Sequence, residues 1–299
     1  MHEIADRLLA AVDAGRTLAV ATAISIEGSA PRTVGTSMAW DGESVIGSIA
    51  GGCVEAAVVE TCELVLADGV ARTVEYGVSD EDAFAVGLTC GGTIRIHVQP
   101  LTEVLEVALR EGTDIEVCRE FIERPPVDRR MIIFGAMEFS AALAKAADAM
   151  GYRVTVCDPR ALFATPVRFP TAEIVVMWPT TYLETTRVDD RTVICVLSHD
   201  ARFDAELLAQ ALALPVAYVG AMGSRTTHDR RVASLIERGV SADSLAGLHS
   251  PIGLDLGAST PEETAISILA EVLAARSDST ALPLTVLEGA IHGRRSVRA

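Results

Sequence analysis

The spacing of apolar residues in the leading part of the chain predicts a mixture of helices and strands. Ile4, Leu8 and Val12 share one face of a short amphipathic helix. Apolar and polar residues alternate from Thr93 to Gln99, which is typical of a half-buried strand. The expected elements are helices over 3–14, 54–67 and 102–111 and strands over 17–26, 44–49, 93–99 and 114–122.

The pattern changes after residues 124–130, where Pro125 and Pro126 stand among charged residues. Two prolines cannot continue a helix or a central strand, so this segment is expected to be a linker. Short apolar runs then alternate with helical segments, which predicts buried parallel strands between two helical layers. The strands are expected over 131–134, 153–157, 173–178, 192–197 and 216–219, and the helices over 138–150, 201–213, 225–238 and from Pro261 onward.

The predicted fold class is α/β, with two domains, because 299 residues exceed the usual size of one hydrophobic core. A mixed α/β N-terminal domain over 1–123 is followed by the linker. A Rossmann-like domain with a doubly wound parallel sheet is expected over 131–276. The polar segment 277–299 is predicted to be a flexible tail.

Charge and composition exclude several classes of protein. The net charge of −16 repels the phosphate backbone of nucleic acids. No apolar run approaches the roughly 20 residues that span a bilayer, and the first residues lack a signal-peptide pattern, so a cytoplasmic protein is expected. The six cysteines form no C-x-x-C pair, and neither a disulfide nor a protein metal site is predicted.

Two glycine-rich segments of the first domain are candidate ligand sites. Residues 47–55 read as a strand, a loop of small residues and a helix start, which presents unpaired amide groups that favour an anion. Residues 87–92 again place a cysteine beside two glycines. The Arg32 guanidinium suits bidentate contact with phosphate. The candidate residues here are Ser29, Arg32, Gly51, Gly52, Cys53, Glu55, Cys90, Gly91 and Gly92. Arg32, Gly52 and Gly91 are expected to lie in one common pocket.

The second domain begins like a dinucleotide-binding fold, but its glycine fingerprint is broken. Gly135 is the first expected glycine, whereas Met137 occupies the place of the second, and Glu138 puts negative charge where a phosphate would bind. Asp158 ends the second predicted strand, at the position of a ribose-binding acid. A Rossmann-like fold is therefore predicted without NAD(P) as its expected ligand.

A cleft at the carboxyl edge of the second sheet is a further candidate. Ser198, His199 and Asp200 are consecutive and point in different directions, so they cannot form a hydrolase triad. His199 is expected to line the cleft instead. The segment Gly223-Ser224-Arg225 leads into a helix and is predicted to donate to an anion there.

Motifs along residues 3–276 resemble the xanthine dehydrogenase accessory family, also called XdhC/CoxI. Gly135 to Ser140 departs from the family's G-A-G-H-V-G stretch, and Thr89 replaces one of two cysteines in its second motif, which suggests a divergent paralogue. The segments that carry the resemblance are 28–32, 47–55, 87–92, 198–200, 220–225, 250–258 and 260–271.

The resemblance implies a chaperone for the molybdenum cofactor (molybdopterin) more than a catalyst. The implied role is to bind the cofactor, aid its sulfuration, protect it and insert it into a partner. The partner would be an apo molybdenum hydroxylase of the xanthine or carbon monoxide dehydrogenase type. A cysteine desulfurase is a second implied partner, and a homodimer is expected. Arg32 and the glycine amides suit the phosphate of the cofactor, and Cys53 and Cys90 suit its soft sulfur and molybdenum end.

Two other interpretations stay open from the sequence. A nucleotide-dependent oxidoreductase is favoured by Asp158 and the alternating strands. A protein–protein adaptor without a bound cofactor is the other, with both glycine segments purely structural.

Overall fold

A computed structural model gives the chain as two compact units, Met1–Val127 with Pro283–Ala299, and Asp128–Leu282. Each unit has its own hydrophobic core. No helix among the described residues is long and apolar enough to cross a membrane. The structure describes residues 1–28, 32–77, 92–126, 129–198, 200, 202–277, 279–288 and 296–297.

The first unit is a mixed α/β domain, as predicted. Its antiparallel sheet has the strand order β3-β2-β1-β5-β4, and β6 and β7 form a separate hairpin. The elements are α1 (Ala5–Asp13), β1 (Ala19–Glu27), β2 (Ser37–Trp40), β3 (Val45–Gly47), α2 (Glu55–Asp68), β4 (Arg72–Tyr76), β5 (Thr93–Pro100), α3 (Glu103–Glu111), β6 (Ile115–Cys118) and β7 (Phe121–Glu123).

Both faces of this sheet are covered by helices. Helix α2 buries Val58 and Cys62 against one face, and the other face packs on Leu8 of α1 and Leu105 of α3. The single strand predicted over 114–122 is wrong, because the chain turns between β6 and β7. The turn residues Arg119 and Glu120 are polar, and the two strands pair with each other.

The second unit is a Rossmann-like domain with a six-stranded parallel sheet, as predicted. The strand order β10-β9-β8-β11-β12-β13 is the 3-2-1-4-5-6 order of dinucleotide-binding folds. The elements are β8 (Arg129–Phe134), α4 (Glu138–Ala149), β9 (Tyr152–Cys157), β10 (Glu173–Val175), α5 (Pro179–Thr185), β11 (Val193–Val196), α6 (Asp204–Leu212), β12 (Tyr218–Ala221), α7 (Arg225–Glu237), α8 (Ala242–Ala246), β13 (Leu248–His249) and α9 (Pro261–Arg276).

Helices pack on both faces of the parallel sheet. Leu143 of α4 and Ile268 of α9 lie in one core, and Leu207 of α6 and Leu235 of α7 lie in the other. A capping box begins α9, where the Thr260 hydroxyl accepts from the Glu263 amide and the Glu263 carboxylate accepts from the Thr260 amide.

The segment after α9 contains two short strands, β14 (Leu287–Glu288) and β15 (Ser296–Val297). These strands pair with each other in antiparallel fashion. Residues 283–299 belong to the first of the two compact units. The flexible tail proposed for 277–299 stays a prediction.

Glu271 of α9 ties three elements of the second unit together. Its carboxylate accepts from the Tyr218 hydroxyl at 2.5 Å and from the Gly253 amide at 2.7 Å, and it pairs with His249 at 3.3 Å. Burial raises the pKa of Glu271, but these hydrogen bonds outweigh burial and leave the pKa below its ordinary value. The carboxylate is therefore charged and fully engaged at neutral pH.

Glu271→Gln should lower the free energy of unfolding of the second unit by about 1–2 kcal/mol, because a neutral amide oxygen accepts more weakly than a carboxylate. Urea denaturation followed by Trp178 fluorescence in a Trp40→Phe background would report this unit, since the chain has one tryptophan in each unit. Glu262→Gln, at an exposed position of the same helix, is the matched control and should change little. Equal stabilities of the two variants would contradict the prediction.

Candidate functional site

The glycine loop of the first unit, residues 48–54, folds around a carboxylate of its own chain. The loop follows β3, and Glu55 is the first residue of α2. The positive φ angles of Gly51 (71°) and Gly52 (105°) let the chain curl around this side chain. The Glu55 carboxylate accepts from the Ser48 hydroxyl at 2.8 Å and from the amides of Ile49 at 3.2 Å, Ala50 at 3.0 Å, Gly52 at 2.8 Å and Val54 at 3.2 Å.

These contacts stabilise the charged form of Glu55. Burial raises its pKa, but the amides of Ala50 and Gly52 and the Ser48 hydroxyl outweigh burial and bring the pKa to about 2. The amides that were predicted to bind a ligand phosphate thus already hold an anion. In this structure the phosphate of a cofactor does not fit the loop's amide cradle, because Glu55 fills it.

The tip of the loop remains accessible. Gly51 and Gly52 are exposed, and Cys53 is half-buried beside the core of the first unit. The base of the loop is closely packed, since a Cβ on Gly47 would lie 2.8 Å from the Ser37 carbonyl oxygen. The loop is therefore a tightly packed turn with exposed glycine backbone at its tip and the half-buried Cys53 beside it.

Arg32 is half-exposed and lies beside the start of the chain. Its Nη2 donates to the Glu3 carboxylate at 2.7 Å, and the same carboxylate accepts from the Ser37 amide at 2.9 Å. A surface ion pair of this kind contributes little stability. The guanidinium can therefore exchange Glu3 for a stronger anion without disturbing the fold.

Four candidate residues lie outside the described part of the chain, namely Ser29, Cys90, Gly91 and His199. Gly92 is described and is buried immediately before β5. The predicted gathering of Arg32, Gly52 and Gly91 in one pocket therefore stays a prediction.

Gly135 follows β8 at the point where the strand order reverses. Its φ is 104°, and a Cβ there would lie 2.9 Å from the Ser198 amide nitrogen. Only glycine allows the backbones that follow β8 and β11 to approach this closely. Gly135 thus serves packing between strand ends, and the space that a ligand would need above it is restricted.

Asp158 is buried after β9 and has its oxygens fully engaged. It accepts from the Ala136 amide at 2.7 Å and from the Arg160 amide at 2.9 Å. The Arg160 guanidinium adds two more bonds, from Nε at 2.9 Å and from Nη2 at 2.7 Å. A carboxylate offers about four lone-pair sites, so ribose hydroxyls would have to displace a partner.

The cavity at this point is small, about 250 Å³, and contains two carboxylates and one guanidinium. Met137 lines it, as expected from the loss of the second glycine. The small volume of the cavity, its two carboxylates and the occupied oxygens of Asp158 all disfavour a dinucleotide bound as in other Rossmann folds. The lining residues are Gly135, Met137, Asp158, Pro159, Arg160, Pro179, Ser198, Asp200 and Phe203.

A larger cavity of about 630 Å³ lies between the first turns of α6 and α7, where Gly223 and Ser224 follow β12. Ser224 caps α7 by accepting from the Thr227 amide at 3.2 Å. Arg225 is exposed and is not among the lining residues. The cavity is lined by Asp204, Ala205, Gly223, Ser224, Thr227, Arg230, Arg231 and Ser234.

Sequence reasoning missed the ion pair beneath this cavity. The buried Arg231 donates from Nη2 to Asp204 at 2.9 Å and to the Met222 carbonyl at 3.1 Å, and from Nη1 to the Ser250 hydroxyl at 3.1 Å. Asp204 also accepts from the Ser198 hydroxyl at 3.2 Å. The one available signal was helical spacing, because residues 224, 227 and 231 lie on one face of a helix.

Within the described residues, no cluster of three or more His, Cys, Asp or Glu side chains could hold a metal ion. The candidate sites thus consist of Cys53 and Arg32 in the first unit and a polar cavity in the second.

Two family models match the chain. Residues 131–272 match the XdhC Rossmann domain, and residues 11–77 match the XdhC and CoxI family. The fold is similar to the crystal structure of a protein described as a xanthine dehydrogenase from Bacillus halodurans. That similarity has a TM-score of 0.76 at 25% sequence identity and covers 94% of this chain and 97% of the other.

Similar proteins occur in Bacillus subtilis and Escherichia coli. A probable xanthine dehydrogenase subunit from B. subtilis is 25% identical over 86% of this chain and 92% of its own length. The molybdenum cofactor insertion chaperone PaoD of E. coli is 29% identical over 89% and 86%. The uncharacterized protein YqeB of E. coli is 27% identical over 87% of this chain, which spans only 44% of YqeB. The two domain matches in order, with the matching fold, show that this chain belongs to the XdhC and CoxI family.

Proposed function

We propose that this protein binds the molybdenum cofactor and assists its sulfuration, protection and insertion into a molybdenum hydroxylase of the xanthine or carbon monoxide dehydrogenase type. Its similarity to an insertion chaperone and to a protein named as part of a xanthine dehydrogenase supports this role. The observation that carries the proposal is the loop of residues 48–54, which Glu55 holds in shape and which places the half-buried Cys53 next to exposed glycine backbone.

The residues of the loop suit the molybdenum end of the cofactor better than its phosphate end. When bound, the cofactor supplies molybdenum held by soft dithiolene sulfurs, and a cysteine side chain is a soft ligand of the matching kind. Cys53 would hold that end, and Glu55 would keep the loop in the presenting shape. The phosphate cannot use the loop amides, so Arg32 would contact it in place of Glu3.

Cys53→Ser and Arg32→Gln should each weaken binding of isolated molybdenum cofactor by about 10-fold, the loss of one contact to a soft or charged group. Fluorescence of the oxidised pterin after ultrafiltration measures the bound fraction. Cys118→Ser and Arg16→Gln are matched controls, since both lie in the same unit and outside the loop. If the four variants bind as tightly as the unaltered chain, the assigned site in the first unit is wrong.

Delivery requires a separate assay. An apo xanthine dehydrogenase mixed with the loaded chain should gain activity faster than with free cofactor, because a bound cofactor is shielded from water. Prior treatment of the loaded chain with a cysteine desulfurase and cysteine should increase that gain if sulfuration takes place on this protein. Transfer that is no faster than with free cofactor would contradict the chaperone role. A homodimer stays a prediction.

The oxidoreductase alternative predicts tight binding of NADH or NADPH. We expect no tight binding in a titration with either nucleotide, because Asp158 is already engaged by Ala136 and Arg160. A strong fluorescence response to either nucleotide would favour the enzyme.

A further inference from the structure

The cavity between α6 and α7 differs in size and charge from the place where a dinucleotide fold normally binds its ligand. It has a volume of about 630 Å³, against about 250 Å³ at the reversal of strand order. Small-molecule sites typically measure roughly 300–1,000 Å³. It lies at the same carboxyl edge of the sheet, one strand further along, where β11 and β12 end.

The charge of the lining is opposite to that of the protein. The cavity is lined by two arginines, Arg230 and Arg231, and by one acidic residue, Asp204, in a chain of net charge −16. The smaller cavity contains Asp158 and Asp200 with one guanidinium, Arg160. An anion is therefore favoured in the larger cavity and disfavoured in the smaller one.

The acidic group in the lining is already neutralised. Asp204 pairs with Arg231, whose side chain is only 4% exposed. Arg231 also donates to Ser250 and to the Met222 carbonyl, so it cannot swing toward a ligand without breaking three contacts. The pair forms a fixed floor, and the positive charge left over belongs to Arg230.

Arg230 supplies the positive charge that the cavity lining has available for a ligand. It is exposed on α7 and, within the described residues, makes no ion pair or hydrogen bond. By contrast, the guanidinium groups of Arg160 and Arg202 each pair with a carboxylate. An arginine that lines a cavity and has no partner keeps its full bidentate capacity for an incoming phosphate.

The remaining wall provides hydroxyl groups and open space. Ser224, Thr227 and Ser234 can donate to phosphate or ribose oxygens. Gly223 keeps the crevice clear, because a Cβ there would lie 3.0 Å from Thr227 and 3.4 Å from Arg231. The wall thus accepts a polar ligand far larger than a phosphate ion.

We infer that this cavity binds a phosphate monoester of nucleotide size, with its phosphate on Arg230 and its remainder along the hydroxyl-lined wall. The inference goes beyond the proposed function: that proposal places the phosphate of the molybdenum cofactor on Arg32 of the first unit, whereas this cavity is a separate phosphate-ester site of the second unit. Two sources share this chemistry, a pterin phosphate and a nucleoside monophosphate.

The test is calorimetric titration of the full chain with four probes: inorganic phosphate, neopterin monophosphate, CMP and cytidine. A phosphate ester should bind, inorganic phosphate should bind more weakly, and cytidine should not bind. Preference for the pterin ester or for CMP identifies which source the site accepts. Absence of binding by both esters, or cytidine binding as tightly as CMP, would overturn the inference.

Arg230→Gln should weaken binding of the preferred ester by about 10-fold or more, as expected for loss of a charge-assisted contact. Arg225→Gln is the matched control, because Arg225 is an exposed arginine of the same helix outside the cavity. It should change affinity by less than about 3-fold, through screened long-range charge alone. Equal losses in the two variants would show that only net charge matters and would overturn the assignment.

The two proposals fail in different ways. If the chain retains molybdenum cofactor but binds neither phosphate ester, the cavity assignment is wrong and the chaperone role stands. If the esters bind in an Arg230-dependent manner while molybdenum cofactor does not bind, the cavity is a phosphate-ester site and the chaperone role is wrong.

Discussion

Replacing Arg231 by methionine should lower the free energy of unfolding of the second unit by about 3–5 kcal/mol, the usual cost of removing one partner of a buried ion pair. The variant leaves the Asp204 carboxylate without its cation, in a position that is only 15% exposed. It also leaves the Met222 carbonyl and the Ser250 hydroxyl without their donor. Urea unfolding followed by Trp178 fluorescence in a Trp40→Phe background measures the loss.

Two further variants separate charge from packing at this position. Arg230→Met, at the neighbouring exposed residue, should change stability by less than about 0.5 kcal/mol. Adding Asp204→Leu to Arg231→Met should recover part of the loss, because it removes the uncompensated charge. A double variant less stable than the single one would contradict the role assigned to the pair.

Glu55→Gln should lower the free energy of unfolding of the first unit by about 2–3 kcal/mol, because five donors lose a carboxylate acceptor and three of them belong to buried residues. Trp40 fluorescence in a Trp178→Phe background reports this unit. Glu63→Gln, exposed on the same helix, is the control and should be nearly neutral.

Acid should reduce the difference in stability between the unaltered chain and Glu55→Gln. The pKa of Glu55 is about 2 in the folded chain, below the ordinary value of 4.5, so its contribution to stability is complete above pH 4.5 and disappears as the pH falls toward 2. The stability gap between the unaltered chain and Glu55→Gln should therefore close over this range. A gap that is independent of pH would show that Glu55 does not act through its charge.

The periodicity of the chain was enough to predict the larger elements and the fold class. Alternation at 93–99 and the apolar runs after residue 130 require only local information, and β5 and the parallel sheet confirm them. The hairpin at 115–123 was missed because its turn contains neither glycine nor proline. Propensity alone does not separate two short paired strands from one longer strand.

The contacts of the candidate sites were harder to predict, for different physical reasons. Glu55 was expected to belong to a cofactor site in the glycine loop, but its side chain curls back and itself occupies the place of the bound anion. Asp204 and Arg231 are 27 positions apart and meet only because β11 and β12 lie side by side in the sheet. Such a pairing follows from topology, which a single sequence does not show.

Native mass spectrometry of the chain purified from a host that makes molybdenum cofactor shows whether the chain carries this cofactor. We expect an adduct with the mass of the cofactor that contains molybdenum and releases a fluorescent pterin on oxidation. The adduct should be diminished in Cys53→Ser and in Arg32→Gln. A chain that carries neither molybdenum nor pterin, from cells whose molybdenum enzymes are active, would contradict the proposed function.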